Sequence, residues 1–186
     1  MEGLYGRAEV LAQARVLLER AISGEGRLLL ITGEPGIGKS RVAEHVAHEA
    51  GGRGARVAWG RCWEAGGAPA YWPWVQIFRS LELDDPFSDP GTVGLALGTA
   101  EARFAVFDRA VRALRAIAAR QPLVLVLDDL HTADVPSLLL LLLLSHELPR
   151  SSLLVIGTYR DAELRLVPES AQVIAKLARE AVVVPL

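Results

Sequence analysis

A glycine-rich loop between a predicted strand and a predicted helix constrains the fold of this chain more than any other feature. Residues 33–40, GEPGIGKS, fit the pattern G-x-x-x-x-G-K-S. The apolar run at 27–32, RLLLIT, predicts a buried strand before the loop. After the loop, Val42, Val46 and Ala50 recur every four residues, as on one face of a helix. A strand, a tight loop and a helix in this order predict an α/β fold in which the helix packs against a sheet.

The residue types of this loop suit phosphate binding. Glycines let backbone amides turn inward and approach phosphate oxygens closely, and a helix N-terminus adds partial positive charge at the same point. In this pattern the lysine, here Lys39, reaches the β- and γ-phosphates, and the hydroxyl of Ser40 holds Mg²⁺. We therefore predict a nucleotide-binding loop made of Gly33, Glu34, Pro35, Gly36, Ile37, Gly38, Lys39, Ser40 and Arg41.

An apolar run that ends in two acids predicts the metal-binding part of the same site. Residues 123–127, LVLVL, are typical of a parallel strand that is covered on both faces, and Asp128 and Asp129 follow at once. Because Mg²⁺ keeps several of its waters, we expect Asp128 to complete the coordination shell through water. We expect Asp129 to orient or deprotonate the water that attacks the γ-phosphate. The alternative for Asp129 is a cap or loop hydrogen bond.

A third group of candidates follows the predicted strand at 152–157. A guanidinium matches the geometry of phosphate, so Arg160 is a candidate sensor of the γ-phosphate. Thr158 is a candidate to orient water. The alternative for Arg160 is a surface salt bridge with Asp161 or Glu163.

The segment after the two acids holds a further candidate and a long apolar helix. His131 is a candidate contact to the nucleotide or to a neighbouring strand, and Asp134 is predicted as the N-cap of a helix at 135–148. The seven leucines at 138–144 are too few to span a membrane, which needs roughly 20 apolar residues. We expect this helix to be buried against the sheet.

Five predicted strands, at 27–32, 56–60, 123–127, 152–157 and 181–186, alternate with helices, which favours a parallel sheet. Ligands of such sheets bind beyond the carboxyl ends of the strands. The glycine loop, the two acids and Arg160 each follow a strand, so we expect them to meet at one edge. The other predicted helices are one at 10–22, one at 74–81, one at about 169–179, and one at 101–120 that buries Phe104, Phe107, Val111, Leu114 and Ala118.

An aromatic cluster lies in the least regular part of the sequence, residues 61–98. Our interpretation is that the cluster pins this segment onto the core, with help from Trp59 and Trp63. The alternative is a contact to a partner or a signal, because exposed aromatics mark interfaces. The cluster consists of Tyr71, Trp72, Trp74 and Phe78.

Composition and charge exclude several classes of protein. A hydrophobic fraction of 51% argues against disorder, and a net charge of −2 gives no electrostatic support for direct nucleic-acid binding. The single cysteine, Cys62, excludes an internal disulfide and agrees with a reducing compartment. The N-terminal residues lack a secretory signal pattern, so we expect a cytoplasmic protein with no membrane contact.

Several motifs together resemble the AAA-type ATPase domain of STAND signalling proteins, and above all the version in large bacterial LuxR-type transcription regulators. The resemblance covers about residues 3 to 186 and implies one domain over 1–186 with a helical insertion at 61–120. It implies the P-loop NTPase fold, a three-layer αβα sandwich whose five parallel strands have the order 5-1-4-3-2. The motifs are Tyr5-Gly6-Arg7-x-Glu9, the loop at 33–40, Leu127-Asp128-Asp129-Leu130-His131-x-x-Asp134 and Gly157-Thr158-Tyr159-Arg160-Asp161.

The resemblance also implies a role for individual residues. Gly6 and Arg7 would lie near the adenine or ribose of bound ATP or ADP. Asp128 would be the magnesium acid, Asp129 the hydrolytic acid and Arg160 the first sensor. Typical members have Glu where this chain has Asp129, and the shorter acid suggests slow hydrolysis, as in a switch.

The expected function is therefore that of an ATP-dependent switch in a signalling or transcription-regulatory protein. The abrupt end after a strand suggests a fragment whose helical lid, sensor and DNA-binding domains are missing, with nucleotide-dependent self-association as a possible property. The alternatives are an AAA-type DNA loader, a small-molecule phosphotransferase and a scaffold that binds nucleotide without turnover.

Overall fold

The strands form a single parallel sheet at the centre of the protein. The computed structural model describes residues 7–63, 68–87, 99–164 and 167–186. Within them the strands are β1 (Arg27–Thr32), β2 (Arg56–Arg61), β3 (Leu123–Asp128), β4 (Leu153–Tyr159) and β5 (Val182–Pro185). Their order is β2-β3-β4-β1-β5, and every pair is parallel. This confirms the predicted α/β fold and the order 5-1-4-3-2.

Seven helices of the described residues cover the two faces of this sheet. Two short 3₁₀ helices, Leu130–Thr132 and Leu148–Arg150, flank the fifth helix. The helices are α1 (Ala8–Ile22), α2 (Lys39–Gly52), α3 (Trp72–Ser80), α4 (Ala100–Ala118), α5 (Val135–Glu147), α6 (Asp161–Leu164) and α7 (Pro168–Glu180).

Alternation of side chains along each strand divides the core into two layers. In β1, Leu28 and Leu30 belong to the layer under α3, α4, α5 and α7, whereas Leu29 and Ile31 belong to the layer under α1 and α2. This is the period of two that a strand imposes on its side chains. All residues of β3 and β4 are buried, because both faces of these central strands are covered.

The sheet order brings the predicted site segments together. Strand β4 lies between β3 and β1, so residues that follow these three strands are close neighbours at one edge of the sheet. The side chains of Leu130 and Leu30 pack closely on Gly157 of β4, near this edge. A Cβ there would lie 2.5 Å from Leu130 Cδ1 and 2.8 Å from Leu30 Cδ2, so a side chain at this position would displace these two leucines.

The aromatic cluster packs into the core, as interpreted from the sequence. Tyr71, Trp74 and Phe78 have exposed fractions of 0%, and the indole of Trp74 donates a hydrogen bond to the carbonyl of Ser137 at 3.0 Å. Helix α3 begins two residues earlier than predicted, because Pro73 is well tolerated in a first turn, where its missing N–H would have no helical partner.

Two predictions about aromatic packing are wrong. Trp63 does not support the cluster, since it is 56% exposed, and Trp59 packs instead with the layer under α1 and α2. Phe104 was expected on the buried face of the long helix but is 59% exposed. None of the residues 99–105 is buried, so the first turns of α4 lie outside the core of the described residues.

The leucine-rich helix α5 is buried, as predicted. Its side chains pack on the sheet and against α7, and Asp134 caps its N-terminus by accepting a hydrogen bond from the Ser137 amide at 2.9 Å. No helix among the described residues is long and apolar enough to cross a membrane.

Candidate functional site

The glycine-rich loop joins β1 to α2, and Gly38 forms the N-cap of α2. Gly38 has φ +97°, a left-handed conformation that costs glycine little and other residues more. Because glycine has no side chain, the first amides of α2 are not capped by residue 38, and they remain suited to an anion. The outer part of the loop, residues 34–37, is exposed, whereas Gly33 continues directly from β1.

Arg7 lies against this loop. Its Nη1 donates a hydrogen bond to the Gly38 carbonyl at 3.1 Å, and a Cβ on residue 38 would come within 2.3 Å of the same nitrogen. The guanidinium therefore supports the junction between the loop and α2. Gly6, the other residue assigned by resemblance to the adenine side, is outside the described residues. Arg41 is exposed in the first turn of α2.

Lys39 is almost fully buried, and its ammonium group is held inside the loop. Nζ donates to the carbonyls of Gly33 and Glu34, both at 2.9 Å. Burial and the positive charge of Arg160 lower the pKa of Lys39 from its usual 10.5. The carboxylates Asp129, Asp128 and Glu163 oppose this shift. An anion in the loop would compensate the buried charge of Lys39 further, as the phosphates of a nucleotide do.

Asp128 links the loop to the ends of β3 and β4. It is 1% exposed, and its Oδ1 accepts hydrogen bonds from Ser40 Oγ at 2.9 Å and from Thr158 Oγ1 at 2.6 Å. Arg61 at the end of β2 places Nη2 3.4 Å from Asp128 Oδ2. The carboxylate and the Ser40 hydroxyl, which were predicted as magnesium ligands from opposite halves of the sequence, are thus in direct contact.

This donor set fits Mg²⁺. Mg²⁺ prefers oxygen ligands and binds through one or two carboxylates together with substrate phosphates and waters, rather than in an all-protein cage. A carboxylate and a hydroxyl next to the phosphate loop supply such ligands, and the described part of the chain holds no cluster of three or more His, Cys, Asp or Glu residues that would suit another metal. Ser40 and Asp128 would hold Mg²⁺ here, where the ion neutralises phosphate charge.

Thr158 positions the two acids relative to each other. Its hydroxyl donates to Asp128 and accepts a hydrogen bond from the Asp129 amide at 2.9 Å. Thr158 is fully buried, and its hydroxyl proton goes to Asp128, so it orients the Asp128 carboxylate and the Asp129 backbone rather than water. From the sequence we expected Thr158 to orient water, because its partner Asp128 is 30 positions away and the contact is not visible in a local pattern.

Asp129 directly follows β3 and leaves the extended conformation of the strand. Its backbone has φ +62° and ψ +47°, a left-handed conformation that aspartate adopts more readily than most residues. The side chain is 28% exposed, and Oδ1 lies 4.0 Å from His131 Nδ1. Asp128 and Asp129 therefore face different environments although they are adjacent in sequence.

A second cluster of charges lies beside the loop, at the end of β4. Arg160 Nη1 pairs with Glu163 Oε1 at 2.7 Å, and His131 Nε2 lies 3.2 Å from Glu163 Oε2. The hydrogen bond from Arg160 is the main reason that the pKa of Glu163 is below its usual 4.5, and the charges of Arg160, His131 and Lys39 act in the same direction. The salt bridge considered as the alternative for Arg160 is thus present, next to the phosphate loop.

Two residues of this region were missed from the sequence as site components. Glu163 was considered only as a surface partner of Arg160, and Arg61 lay just beyond the predicted second strand. Arg61 ends β2, and Glu163 lies four residues after the end of β4. This proximity to strand ends is the one signal that could have identified them, because strand ends line the ligand edge of such a sheet.

A model of the AAA ATPase domain family matches residues 3–156. The chain belongs to the AAA ATPase domain family. Nucleotide binding is the property that this family implies for the phosphate loop. The narrower relation to STAND proteins and LuxR-type regulators stays a prediction. No curated protein matches the chain significantly.

Solved structures share the fold of this AAA ATPase domain. The Aeropyrum pernix ORC2 protein, solved as ADPNP–ADP complexes, is 20% identical with a TM-score of 0.63, over 99% of this chain and 48% of that protein. The structure of Drosophila ORC bound to AT-rich DNA and Cdc6 is 12% identical with a TM-score of 0.51, and the match covers 96% of this chain and 55% of that chain. A DNA polymerase III gamma subunit-related protein from Thermotoga maritima is 11% identical with a TM-score of 0.50, and the match covers 94% of this chain and 45% of that chain. At these identities the likeness concerns the fold alone, and the domain spans about half the length of these chains.

Proposed function

We propose that this AAA ATPase domain binds ATP with Mg²⁺, hydrolyses it slowly, and acts as a nucleotide-dependent switch within a larger signalling or transcription-regulatory protein. The observation that carries the proposal is the contact between Ser40 and Asp128 at the phosphate loop, because it joins a phosphate-binding element to a magnesium acid. The half-length coverage of the similar structures supports a domain that works with further domains.

The roles follow from where each side chain lies. Lys39 and the first amides of α2 bind the phosphates, and Ser40 and Asp128 hold Mg²⁺. Asp129 is the partly exposed carboxylate next to this site, so it orients and deprotonates the attacking water. Arg160 approaches the γ-phosphate from the end of β4.

Slow turnover is the part of the proposal that suits a switch. The side chain of Asp129 is one methylene shorter than that of the glutamate typical at this position, so its carboxylate reaches less far toward the water. A slow reaction leaves the ATP-bound form long-lived, which is what a change of state within a regulator requires.

A second candidate function is that of an AAA-type DNA loader. The similarity in fold to Drosophila ORC, solved with AT-rich DNA, favours it. The net charge of −2 opposes it, because DNA binding relies on a basic surface. DNA affinity that depends on ATP, measured over a range of salt concentrations, would support the loader.

The experiment that tests the proposed function is calorimetric titration with ATP and ADP, with and without Mg²⁺, of the wild type and Lys39→Ala. We expect both nucleotides to bind the wild type and to lose measurable affinity in the variant, because the buried ammonium group at the loop is removed. Lys176→Ala is the matched control, since Lys176 is the only other lysine and is exposed on α7. A folded wild type that binds neither nucleotide would contradict the proposal.

A further inference from the structure

Glu163 pairs with Arg160, and its charge also acts on Lys39, the other cation assigned to the phosphates. Its Oε1 accepts the hydrogen bond of Arg160 at 2.7 Å. Its negative charge also acts on Lys39, since Glu163 raises the pKa of Lys39 and Lys39 lowers the pKa of Glu163. This carboxylate is therefore paired with Arg160, which the proposed function assigns to the γ-phosphate, and its charge acts on Lys39, which the proposed function assigns to the phosphates.

His131 lies beside the second oxygen of this carboxylate. The imidazole is buried, with a side-chain exposed fraction of 1%, and its Nε2 lies 3.2 Å from the second oxygen of Glu163. Its Nδ1 lies 4.0 Å from Asp129 Oδ1. The four side chains form a continuous row from the end of β3 to the end of β4, in the order Asp129, His131, Glu163, Arg160.

The pair of Arg160 and Glu163 can open at small cost. The two side chains are 21% and 36% exposed, so water can replace either partner. Partly exposed ion pairs of this kind contribute little to stability and exchange partners readily. A phosphate offers a guanidinium more charge than one carboxylate does, and in a geometry that allows two hydrogen bonds.

We propose that Glu163 is an anionic latch that holds Arg160 until the γ-phosphate of ATP displaces it. The inference rests on the proposed function, because it assigns Arg160 to the terminal phosphate. ADP has no γ-phosphate and binds with the latch closed. Glu163 therefore lowers the affinity for ATP while it leaves the affinity for ADP unchanged, and it sets how strongly the domain discriminates between the two.

Opening of the latch also affects the surroundings of Asp129, the proposed hydrolytic acid. When Arg160 turns to the phosphate, Glu163 keeps His131 as its partner, and His131 in turn lies beside Asp129. Glu163 and His131 are positioning residues in this arrangement, since they act on the nucleotide through Arg160, Asp129 and Lys39.

The test compares the affinities of the wild type and Glu163→Gln for ATP and for ADP, both with Mg²⁺. We expect Glu163→Gln to bind ATP about two- to fivefold more tightly, within the range of partly exposed ion pairs, and to bind ADP as the wild type does. Glu169→Gln is the matched control, because Glu169 is exposed on α7 and the chemical change is the same. Circular dichroism and thermal unfolding establish that each variant is folded.

A double-mutant cycle with Arg160→Gln separates the latch from a general effect of charge. Without the guanidinium the latch has no Arg160 side chain to hold, so we expect Glu163→Gln to lose its gain in ATP affinity in the Arg160→Gln protein. The same gain in ATP affinity in both backgrounds would overturn the latch, because it would show an effect that does not pass through Arg160.

Two further results of the binding measurements distinguish a failure of the latch from a failure of the proposed function. An unchanged or weaker ATP affinity in Glu163→Gln, with binding that Lys39→Ala still abolishes, would overturn the latch and leave the proposed function intact. A folded wild type that binds neither nucleotide would overturn the proposed function and the latch together.

Discussion

The candidate site has an inner part and an outer part that are built differently. The inner part, Ser40, Asp128 and Thr158, is joined by hydroxyl-to-carboxylate hydrogen bonds of 2.9 and 2.6 Å around a carboxylate that is 1% exposed. The outer part, Asp129, His131, Glu163 and Arg160, is joined by ion pairs, and its three charged chains other than His131 are 21–36% exposed. Buried hydrogen bonds are costly to break and exposed ion pairs are not. The inner part is thus suited to hold a metal in a fixed place, and the outer part to respond to the presence of a phosphate.

The largest difference between the inner and outer parts is expected when Asp128 and Asp129 are each replaced by asparagine. We expect Asp129→Asn to lower the rate of ATP hydrolysis by a factor of about 10² to 10⁴, the usual contribution of a general base, while nucleotide affinity stays near that of the wild type. Asp128→Asn is expected to weaken the Mg²⁺-dependent part of ATP binding itself. Steady-state phosphate release and calorimetry on both variants give the two readouts. Equal effects of the two variants on affinity would remove the distinction between an inner metal acid and an outer hydrolytic acid.

A smaller effect is expected from the hydroxyl that organises the inner part. Thr158→Val keeps the shape of the side chain but removes the donor to Asp128 and leaves the Asp129 amide without its acceptor. Because this amide and carboxylate are buried or partly buried, we expect the free energy of unfolding to fall by about 1–3 kcal/mol. Urea unfolding measures this change.

Thr158→Ser is the control for the inner part, since it keeps the hydroxyl and loses only a methyl group. We expect it to retain most of the stability that Thr158→Val loses. Equal losses in the two variants would mean that the methyl group, and not the hydroxyl, supports this part of the site.

The smallest effect concerns the outer part and depends on pH. The pKa of Glu163 in the folded protein is below its usual 4.5, chiefly because Arg160 donates a hydrogen bond to it. The unfolded chain therefore binds more protons near pH 4.5, and the stability that the pair contributes is present above this pH and is lost as the pH falls below it. Urea unfolding of wild type and Glu163→Gln at pH 7 and below pH 4.5 should show a difference that shrinks at low pH. A difference that stays constant with pH would contradict the pairing.

Local patterns in the sequence were sufficient to predict the phosphate loop, whereas the strand order was predicted only through the resemblance to a family. The loop is contiguous, and its chemistry depends on residues within one strand, one turn and one helix, so the spacing of Gly33, Gly38 and Lys39 already specifies it. The packing of Phe104 could not be predicted in the same way. Its spacing fits the buried face of α4, but whether the first turns of a helix are covered depends on which other elements reach them.

The sequence by itself determined that this chain forms an α/β sheet with a phosphate loop and two acids at strand ends, because hydrophobic period and glycine spacing are local properties. The tertiary structure alone decided which side chains complete the site. Ser40 and Thr158 donate hydrogen bonds to Asp128, although they are 88 and 30 positions away from it in the sequence. Glu163 lies beside His131 only because β3 and β4 are neighbours. Such contacts depend on the order of the strands, and no short segment of sequence contains that order.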